Sequence, residues 1–177
     1  MTSISDIRLL VVDDSKQMRH LIRVLARAGG IVHCAEAETA VQALGLLRAM
    51  PIDLIIVDWK MQPMDGLSFT RAVRGDPSSP CPYVPILMLT AHTETSRVTA
   101  ARDAGVTGFL RKPISTRLLF DRISSALTDT RMFVRAPTFF GPDRRRGPLP
   151  GYRGPFRREY DQPNSNVFDI DDVRLSA

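Results

Sequence analysis

Short runs of aliphatic residues alternate along this chain with segments in which apolar residues recur every three or four positions. The runs predict buried strands, because a strand covered on both faces reads as a nearly continuous apolar stretch. Five strands are predicted, at about residues 8–12, 31–35, 53–57, 85–89 and 107–110. Their alternation with helices is typical of a doubly wound α/β fold, in which helices cover both faces of a parallel sheet.

The segments between the strands predict amphipathic helices, and the first of these has signals at both ends. Ser15 can cap its N-terminus, and Gly29 and Gly30 can end it. Its apolar stripe, spaced as one face of a helix, consists of Met18, Leu21, Ile22 and Leu25. A later segment, at about 94–104, has only Val98 and small alanines on its inner face. We expect that helix to be the most loosely held.

The pattern dissolves after about residue 130, which predicts a domain at 1–130 and a tail at 131–177. Residues 134–163 contain six prolines and four glycines, and neither a helical nor a strand period continues through them. Residues 135–158 contain seven arginines and one aspartate, which gives this stretch a net charge of +6. We therefore expect a mostly irregular tail that is disordered or binds a partner.

Composition narrows the class of protein. Hydrophobic residues make up 44% and charged residues 24% of the chain, which is the balance of a globular protein. The aliphatic runs are far shorter than the roughly 20 residues of a membrane span, so we expect a cytoplasmic protein without a membrane segment. Cys34 and Cys81 lack the spacing of a metal site, and the three histidines lie on unrelated elements.

Polar side chains with useful chemistry follow four of the five predicted strands. Asp13 and Asp14 follow the first strand, Asp58 the third, Thr90 the fourth, and Lys112 the fifth. The carboxyl ends of parallel strands meet at one edge of a sheet, where ligands bind in doubly wound folds. We expect these side chains to converge there.

Three neighbouring carboxylates repel one another, and a divalent cation is the natural remedy. Oxygen ligands without histidine or cysteine favour Mg²⁺, with Mn²⁺ as an alternative, and Mg²⁺ usually takes only one or two carboxylates. One carboxylate would then be available as a nucleophile toward phosphorus. Lys112 and Thr90 could contact oxygens of the transferred phosphoryl group.

Four motifs in this order closely resemble the response-regulator receiver family. They are VVDDS at 11–15, DLIIVDWKMQPMDG at 53–66, ILMLTA at 86–91 and GFLRKP at 108–113. The resemblance covers about residues 7–128, which is nearly the whole predicted domain. It implies a flavodoxin-like fold with the strand order 2-1-3-4-5.

The resemblance also implies a metal site and a phosphoacceptor. Asp58 resembles the phosphoacceptor, which also contacts the metal. Asp14 resembles the direct metal ligand, and Asp13 resembles the residue that holds a metal-bound water. The backbone carbonyl of Lys60 resembles the third protein ligand. In the family the residue at the position of Lys60, together with that at His92, borders the phosphoryl pocket and influences the lifetime of the phosphoryl group.

The resemblance further implies a phosphate contact and a conformational switch. Lys112 resembles the lysine that pairs with the phosphoryl group, and the bond from Lys112 to Pro113 resembles the cis peptide of the family. Thr90 resembles the residue that contacts phosphate, and Thr90 and Phe109 together resemble the switch pair of the family. Phe109 stands where the family frequently has a tyrosine, so it lacks a hydroxyl whose hydrogen bond could report the orientation of the ring. Switching would then rely on rotation of the ring alone.

The implied function is that of a bacterial signalling protein and not of an enzyme, although it would assist its own phosphorylation and dephosphorylation. A histidine kinase or a histidine phosphotransfer protein would donate the phosphoryl group, with Mg²⁺ assisting. The surface of the fourth helix, fifth strand and fifth helix would then change its protein partners. The 47 residues of the tail cannot build a second core, so we expect a stand-alone regulator.

Two alternatives stay open at this point. The chain could be a phosphorylation-independent interaction module that acts through its tail, although the acidic site argues against this. It could also be a nucleic-acid-associated regulator that uses the basic stretch 135–158, but no helix-turn-helix pattern supports sequence readout, and nucleic acid is disfavoured. The downstream target and a phosphorylation-dependent homodimer are left open.

Overall fold

Five parallel strands form the central sheet, in the order β2-β1-β3-β4-β5. The computed structural model describes residues 3–91 and 95–143, and residues 167–168 as a short strand. The predicted strand order and the doubly wound α/β class are confirmed. The strands are β1 Arg8–Val12, β2 His33–Ala37, β3 Leu54–Asp58, β4 Ile86–Thr90 and β5 Gly108–Arg111.

The second strand begins two residues later than predicted. Ile31 donates its backbone N–H to the carbonyl of Ala26 at 3.0 Å, and Gly30 donates to Arg27 at 3.0 Å. Residues 30 and 31 therefore still satisfy carbonyls at the end of the first helix. Pairing with β1 starts only at His33.

One helix follows each strand of the central sheet, and most of these helices begin at a side-chain cap. The helices are α1 Lys16–Ala28, α2 Ala40–Ala49, α3 Gly66–Gly75, α4 Thr95–Asp103 and α5 Thr116–Leu127. The caps of α1, α2, α3 and α5 accept a hydrogen bond from a backbone N–H in the first turn, and they are Ser15, Thr39, Asp65 and Ser115. Such caps satisfy donors that the helix itself leaves unpaired. A short 3₁₀ helix, Ile4–Asp6, precedes β1.

The core has two parts, one on each face of the sheet. Residues from α2, α3 and α4 pack on one face with Leu10 and Val12, and residues from α1 and α5 pack on the other with Leu9 and Val11. Successive residues of β1 thus point to opposite faces, and both faces are buried. This burial fixes the positions of the strand ends that carry the polar residues. No helix among the described residues is long and apolar enough to cross a membrane.

The chain continues after α5 into an antiparallel hairpin, which we call the C-terminal hairpin (residues 133–142). Its strands are β6 Phe133–Ala136 and β7 Phe139–Pro142, and the short strand β8 Val167–Phe168 pairs with the other edge of β6. The sequence predicted an irregular segment immediately after residue 130, and the structure has a hairpin there instead. The remaining basic residues up to 158 lie outside the described part of the chain. The division at residue 130 stays a prediction.

The hairpin is ordered because its aromatic residues pack on the loop before β4. The rings of Phe133 and Phe140 each lie 5.2 Å from the ring of Tyr83, which belongs to the loop before β4. Phe139 is also buried. Aromatic pairs at such distances stabilise a fold beyond the area they bury. Contacts with residues about 50 positions earlier leave no periodic signal in the local sequence.

Candidate functional site

Two carboxylates and one ammonium group meet at the carboxyl edge of the sheet. Asp13 follows β1, Asp58 ends β3 and Lys112 follows β5. The Nζ atom of Lys112 lies 2.7 Å from Oδ1 of Asp58 and 3.7 Å from Oδ2 of Asp13. Only 1% of Asp13 and 7% of Asp58 is exposed. The parallel strands therefore bring together three of the residues that the sequence placed at this edge.

Asp13 has one satisfied and one unsatisfied oxygen. Its Oδ1 accepts the backbone N–H of Ser15 at 2.8 Å, whereas its Oδ2 is buried and has no hydrogen-bond partner in the part of the chain that the structure describes. Burial raises the pKa of Asp13, and the charges of Asp58 and Asp14 act in the same direction. The hydrogen bond from Ser15 and the charge of Lys112 oppose this rise in pKa. A buried acceptor without a donor is costly and calls for a cation or a proton.

Asp58 is held at both carboxylate oxygens. Its Oδ2 accepts the backbone N–H of Lys60 at 2.9 Å, and its Oδ1 accepts a hydrogen bond from Lys112. The next residue, Trp59, donates its N–H to the carbonyl of Leu89 on β4 at 3.0 Å. The loop after β3 is thus tied both to the carboxylate and to the neighbouring strand.

The ligand types fit a divalent cation that prefers oxygen. Asp14 is exposed beside the buried Asp13, and the side chain of Lys60 is exposed as well. Within residues 3–91 and 95–143, no group of three or more His, Cys, Asp or Glu residues is arranged to hold a metal alone. Mg²⁺ does not require such a group, because it commonly keeps several waters and takes one or two carboxylates. The Oδ2 atom of Asp13, which accepts no hydrogen bond from the described residues, is a suitable acceptor for a metal-bound water.

Thr90 lies on β4, the strand next to Asp58, and Phe109 lies on β5, one strand further from Asp58. Thr90 ends β4 and is buried, and its carbonyl accepts the backbone N–H of Lys112 at 2.9 Å. Phe109, on β5, is half-buried against the core on the side of α2 and α3. Their role as a switch pair stays a prediction. His92 lies outside the described residues.

The peptide bond between Lys112 and Pro113 is cis. A second cis bond joins Gln62 to Pro63 in the loop after β3, and nothing in the sequence indicated it.

Comparison with known proteins identifies the family. The family model for the response regulator receiver domain matches residues 9–124. The chain belongs to the response regulator receiver family. The chemotaxis protein CheY of Pseudomonas aeruginosa is 35% identical over 116 residues, which are 66% of this chain and 92% of that protein. CheY-3 of Vibrio cholerae is 30% identical over 118 residues, which are 67% of this chain and 89% of that protein.

Solved structures agree with this assignment. The chemotaxis protein CheY4 of Vibrio cholerae superposes with a TM-score of 0.64 at 30% identity, covering 68% of this chain and 98% of that one. Receiver domains belong to two-component systems, interact with histidine kinases or phosphotransfer proteins, generally bind Mg²⁺ and are generally not enzymes. The C-terminal hairpin lies beyond the residues that the family model matches.

One neighbour of the receiver site was not anticipated from the sequence. The Nη1 atom of Arg19, on α1, donates to the carbonyl of Asp13 at 2.6 Å. Arg19 and Arg23 also lie 3.4 Å and 3.1 Å from the carboxylate of Glu36. The one sequence signal that could have drawn attention to Arg19 is its spacing from Arg23, which places two cations on one face of a helix. It could not have indicated the contact with Asp13.

We expect Asp13→Asn to stabilise the receiver when no divalent metal is present. Because the pKa of Asp13 is raised, the folded state binds more protons than the unfolded state above the ordinary aspartate pKa, so stability falls as pH rises through this interval. At pH values above the raised pKa the penalty is fully developed, and its removal should add about 1 kcal/mol to the free energy of unfolding. Urea denaturation in EDTA at several pH values measures this.

The exposed neighbour provides the control for this comparison. Asp14→Asn makes the same chemical change one residue away and should alter stability by less than about 0.5 kcal/mol. The gain from Asp13→Asn should shrink as the pH falls below the raised pKa. Equal gains in the two variants, or a gain independent of pH, would contradict a penalty that arises from the burial of Asp13.

Proposed function

We propose that Asp58 accepts a phosphoryl group from a histidine kinase or a histidine phosphotransfer protein in a bacterial two-component or phosphorelay pathway. The contact that carries this proposal is the 2.7 Å pair between Lys112 Nζ and Asp58 Oδ1. It places a cation beside a nearly buried carboxylate at the edge where ligands bind in this fold. In this proposal the protein is a cytoplasmic signalling protein and its phosphorylated form selects a partner.

The proposed transfer is a displacement at phosphorus. One carboxylate oxygen of Asp58 attacks, an O–P bond forms, and the P–N bond to the donor imidazole breaks, with the electron pair leaving on the imidazole nitrogen. The Lys60 N–H holds the other oxygen of Asp58, which orients the carboxylate. Lys112 offers positive charge where negative charge develops on the phosphoryl oxygens.

In the same proposal Asp13, Asp14, Asp58 and the carbonyl of Lys60 would hold Mg²⁺, which when bound neutralises charge on the phosphoryl oxygens. Asp13 supports this because its buried Oδ2 accepts no hydrogen bond from the described residues and lies 3.7 Å from Lys112 Nζ, which leaves it able to hold a metal-bound water. The carboxylates also repel one another, as the effect of Asp58 on the pKa of Asp13 indicates.

Thr90 and Phe109 are proposed to convey the change to the surface. Thr90 lies beside the site at the end of β4, and its carbonyl accepts a hydrogen bond from the N–H of Lys112, the residue that pairs with Asp58. An aspartyl phosphate adds roughly −1.5 to −2 charges at neutral pH. A shift of about 1–3 kcal/mol between two arrangements of α4, β5 and α5 would change partner affinity about 5–150-fold.

Mass spectrometry of the intact protein tests the phosphoacceptor proposal. Incubation with acetyl phosphate and Mg²⁺ should add one group of about 80 Da, the mass expected for an acyl phosphate. Peptide mapping should place it on Asp58, and EDTA should prevent its formation. Addition at another residue, or no addition from acetyl phosphate and from several phosphorylated histidine kinases, would overturn the proposal.

A further inference from the structure

The C-terminal hairpin touches the turn that leads into β5. This turn, residues 104–107, connects α4 with β5. A Cβ atom placed on Gly141 would lie 2.7 Å from the Cα of Gly105, and one placed on Gly105 would lie 2.6 Å from the carbonyl oxygen of Phe140. The two backbones are therefore in direct contact, with no room for a side chain between them. Gly105 also has a φ of +92°, which other residues rarely adopt.

The segment before the hairpin makes a second contact with the same turn. The Nη2 atom of Arg131 donates to the carbonyl of Thr107 at 2.6 Å. Asp129 orients this arginine, because both of its carboxylate oxygens lie 2.9 Å from Nε of Arg131. Charge-assisted hydrogen bonds of this kind are stronger than neutral ones. Thr107 immediately precedes β5.

Arg74, on α3, holds the same turn and lies against the hairpin. Its Nε donates to the carbonyl of Gly105 at 3.1 Å, and its Nη1 donates to that of Pro82 at 2.6 Å. Its guanidinium lies 5.1 Å from the centre of the Phe133 ring, so the hairpin covers it. Arg74 is buried, and burial lowers its pKa. The turn is thus fixed between α3 and the hairpin.

β5 connects this turn directly with the phosphoacceptor site. Thr107 makes two hydrogen bonds with Ile86 on β4: its N–H donates to the carbonyl of Ile86 at 2.9 Å, and its hydroxyl oxygen accepts the N–H of Ile86 at 3.0 Å. Only the four residues of β5 separate Thr107 from Lys112, and Lys112 pairs with Asp58. A strand paired along its length transmits a displacement at one end more readily than a flexible loop does.

We propose that the C-terminal hairpin is a positioning element of the phosphoacceptor site: its contacts with Gly105 and Thr107 fix the start of β5 and thereby hold Lys112 beside Asp58. This inference rests on the proposed function. It assigns the hairpin a role in addition to covering Tyr83 and Arg74. Releasing the hairpin allows more positions for Lys112, and this loss of preorganisation lowers affinity for a phosphoryl group.

Two substitutions in the full-length chain release these contacts. Gly141→Val forces the hairpin away from the backbone of Gly105, and Arg131→Met removes the hydrogen bond to Thr107. Arg131→Met keeps the test valid if Gly141→Val does not fold. The matched control is Leu47→Ala, which opens a cavity in the core at α2, a helix that packs on β1, β2 and α3. All proteins are compared at a temperature where each is fully folded.

The measurement is a titration with beryllofluoride, a phosphoryl analogue, in the presence of Mg²⁺. Trp59 is the one tryptophan of the chain and follows Asp58, so its fluorescence reports binding. Hydrogen exchange of the amides in β5 and in the hairpin shows whether the contacts have opened. We expect both release variants to bind about 2–30-fold more weakly than wild type, the range typical of distant coupling, and Leu47→Ala to bind as wild type does.

The outcomes separate the inference from the function on which it rests. Faster exchange in the hairpin and in β5 with unchanged affinity would overturn the positioning role, as would an equal loss of affinity in Leu47→Ala. A wild-type protein that neither binds beryllofluoride nor forms the adduct with acetyl phosphate would overturn the proposed function, and the inference with it. Weaker binding confined to the release variants would support the inference.

Discussion

Asp58→Asn is expected to abolish the Mg²⁺-dependent adduct of about 80 Da completely, because an amide is not a nucleophile toward phosphorus. The substitution preserves the shape of the side chain and an oxygen that can accept the Lys60 N–H. It removes the negative charge that pairs with Lys112 at 2.7 Å. Intact mass spectra recorded after incubation with acetyl phosphate and Mg²⁺ measure the loss.

An identical change on the protein surface provides the control. Asp121→Asn alters an exposed residue of α5 that forms a 3.8 Å ion pair with Arg117, and it should retain the full adduct. Thermal unfolding should show that Asp58→Asn remains folded. Any adduct that persists in Asp58→Asn at the wild-type level would assign the acceptor to another residue.

The strand order was implied by the resemblance to the receiver family, whereas the positions of β1, β3, β4 and β5 were predictable because these strands are short and mostly apolar. Both faces of the sheet are covered, so the apolar runs mark the strands directly, and β1 from Arg8 to Val12 was located to the residue. The start of β2 was misplaced because Ile31 is apolar and buried although its N–H bonds back to α1. Burial alone does not distinguish a strand from the turn before it.

The C-terminal hairpin could not be predicted for a different reason. Its strands contain Gly141 and Pro142, and its two adjacent phenylalanines break the alternation that marks a strand. Phe133 and Phe140 are buried by Tyr83, and this contact depends on the tertiary fold. Local composition therefore indicated an irregular tail, because it does not show that Tyr83 offers a surface on which the hairpin can pack.

At the candidate site the sequence predicted which residues meet but not how each is held. The carboxyl ends of parallel strands share one edge, which places Asp13, Asp58 and Lys112 together. The unequal environments of Asp13 and Asp14 were not predictable, because both residues lie in the loop between β1 and α1. The backbone donors and Arg19 were not predictable, because their positions depend on loop geometry and on packing of α1.

Lys112→Met is expected to slow phosphorylation by acetyl phosphate about 10²–10³-fold, the loss typical when one charge-stabilising group is removed from a reacting site. Methionine keeps most of the aliphatic stem but removes the ammonium that lies 2.7 Å from Asp58 and 3.7 Å from Asp13. Two nearly buried carboxylates then face each other without that cation. The rate of adduct formation at saturating Mg²⁺ measures the effect.

Lys16→Met controls for the loss of one positive charge, because Lys16 is exposed on α1 and has no ion pair with either carboxylate among the described residues. Its phosphorylation rate should stay within about twofold of wild type, as expected for an exposed charge screened by salt. If Lys112→Met reacted as fast as Lys16→Met, the ammonium group would contribute only to ground-state pairing. The proposed role of Lys112 requires that its charge act on the phosphoryl oxygens as transfer proceeds, so the two rates must differ.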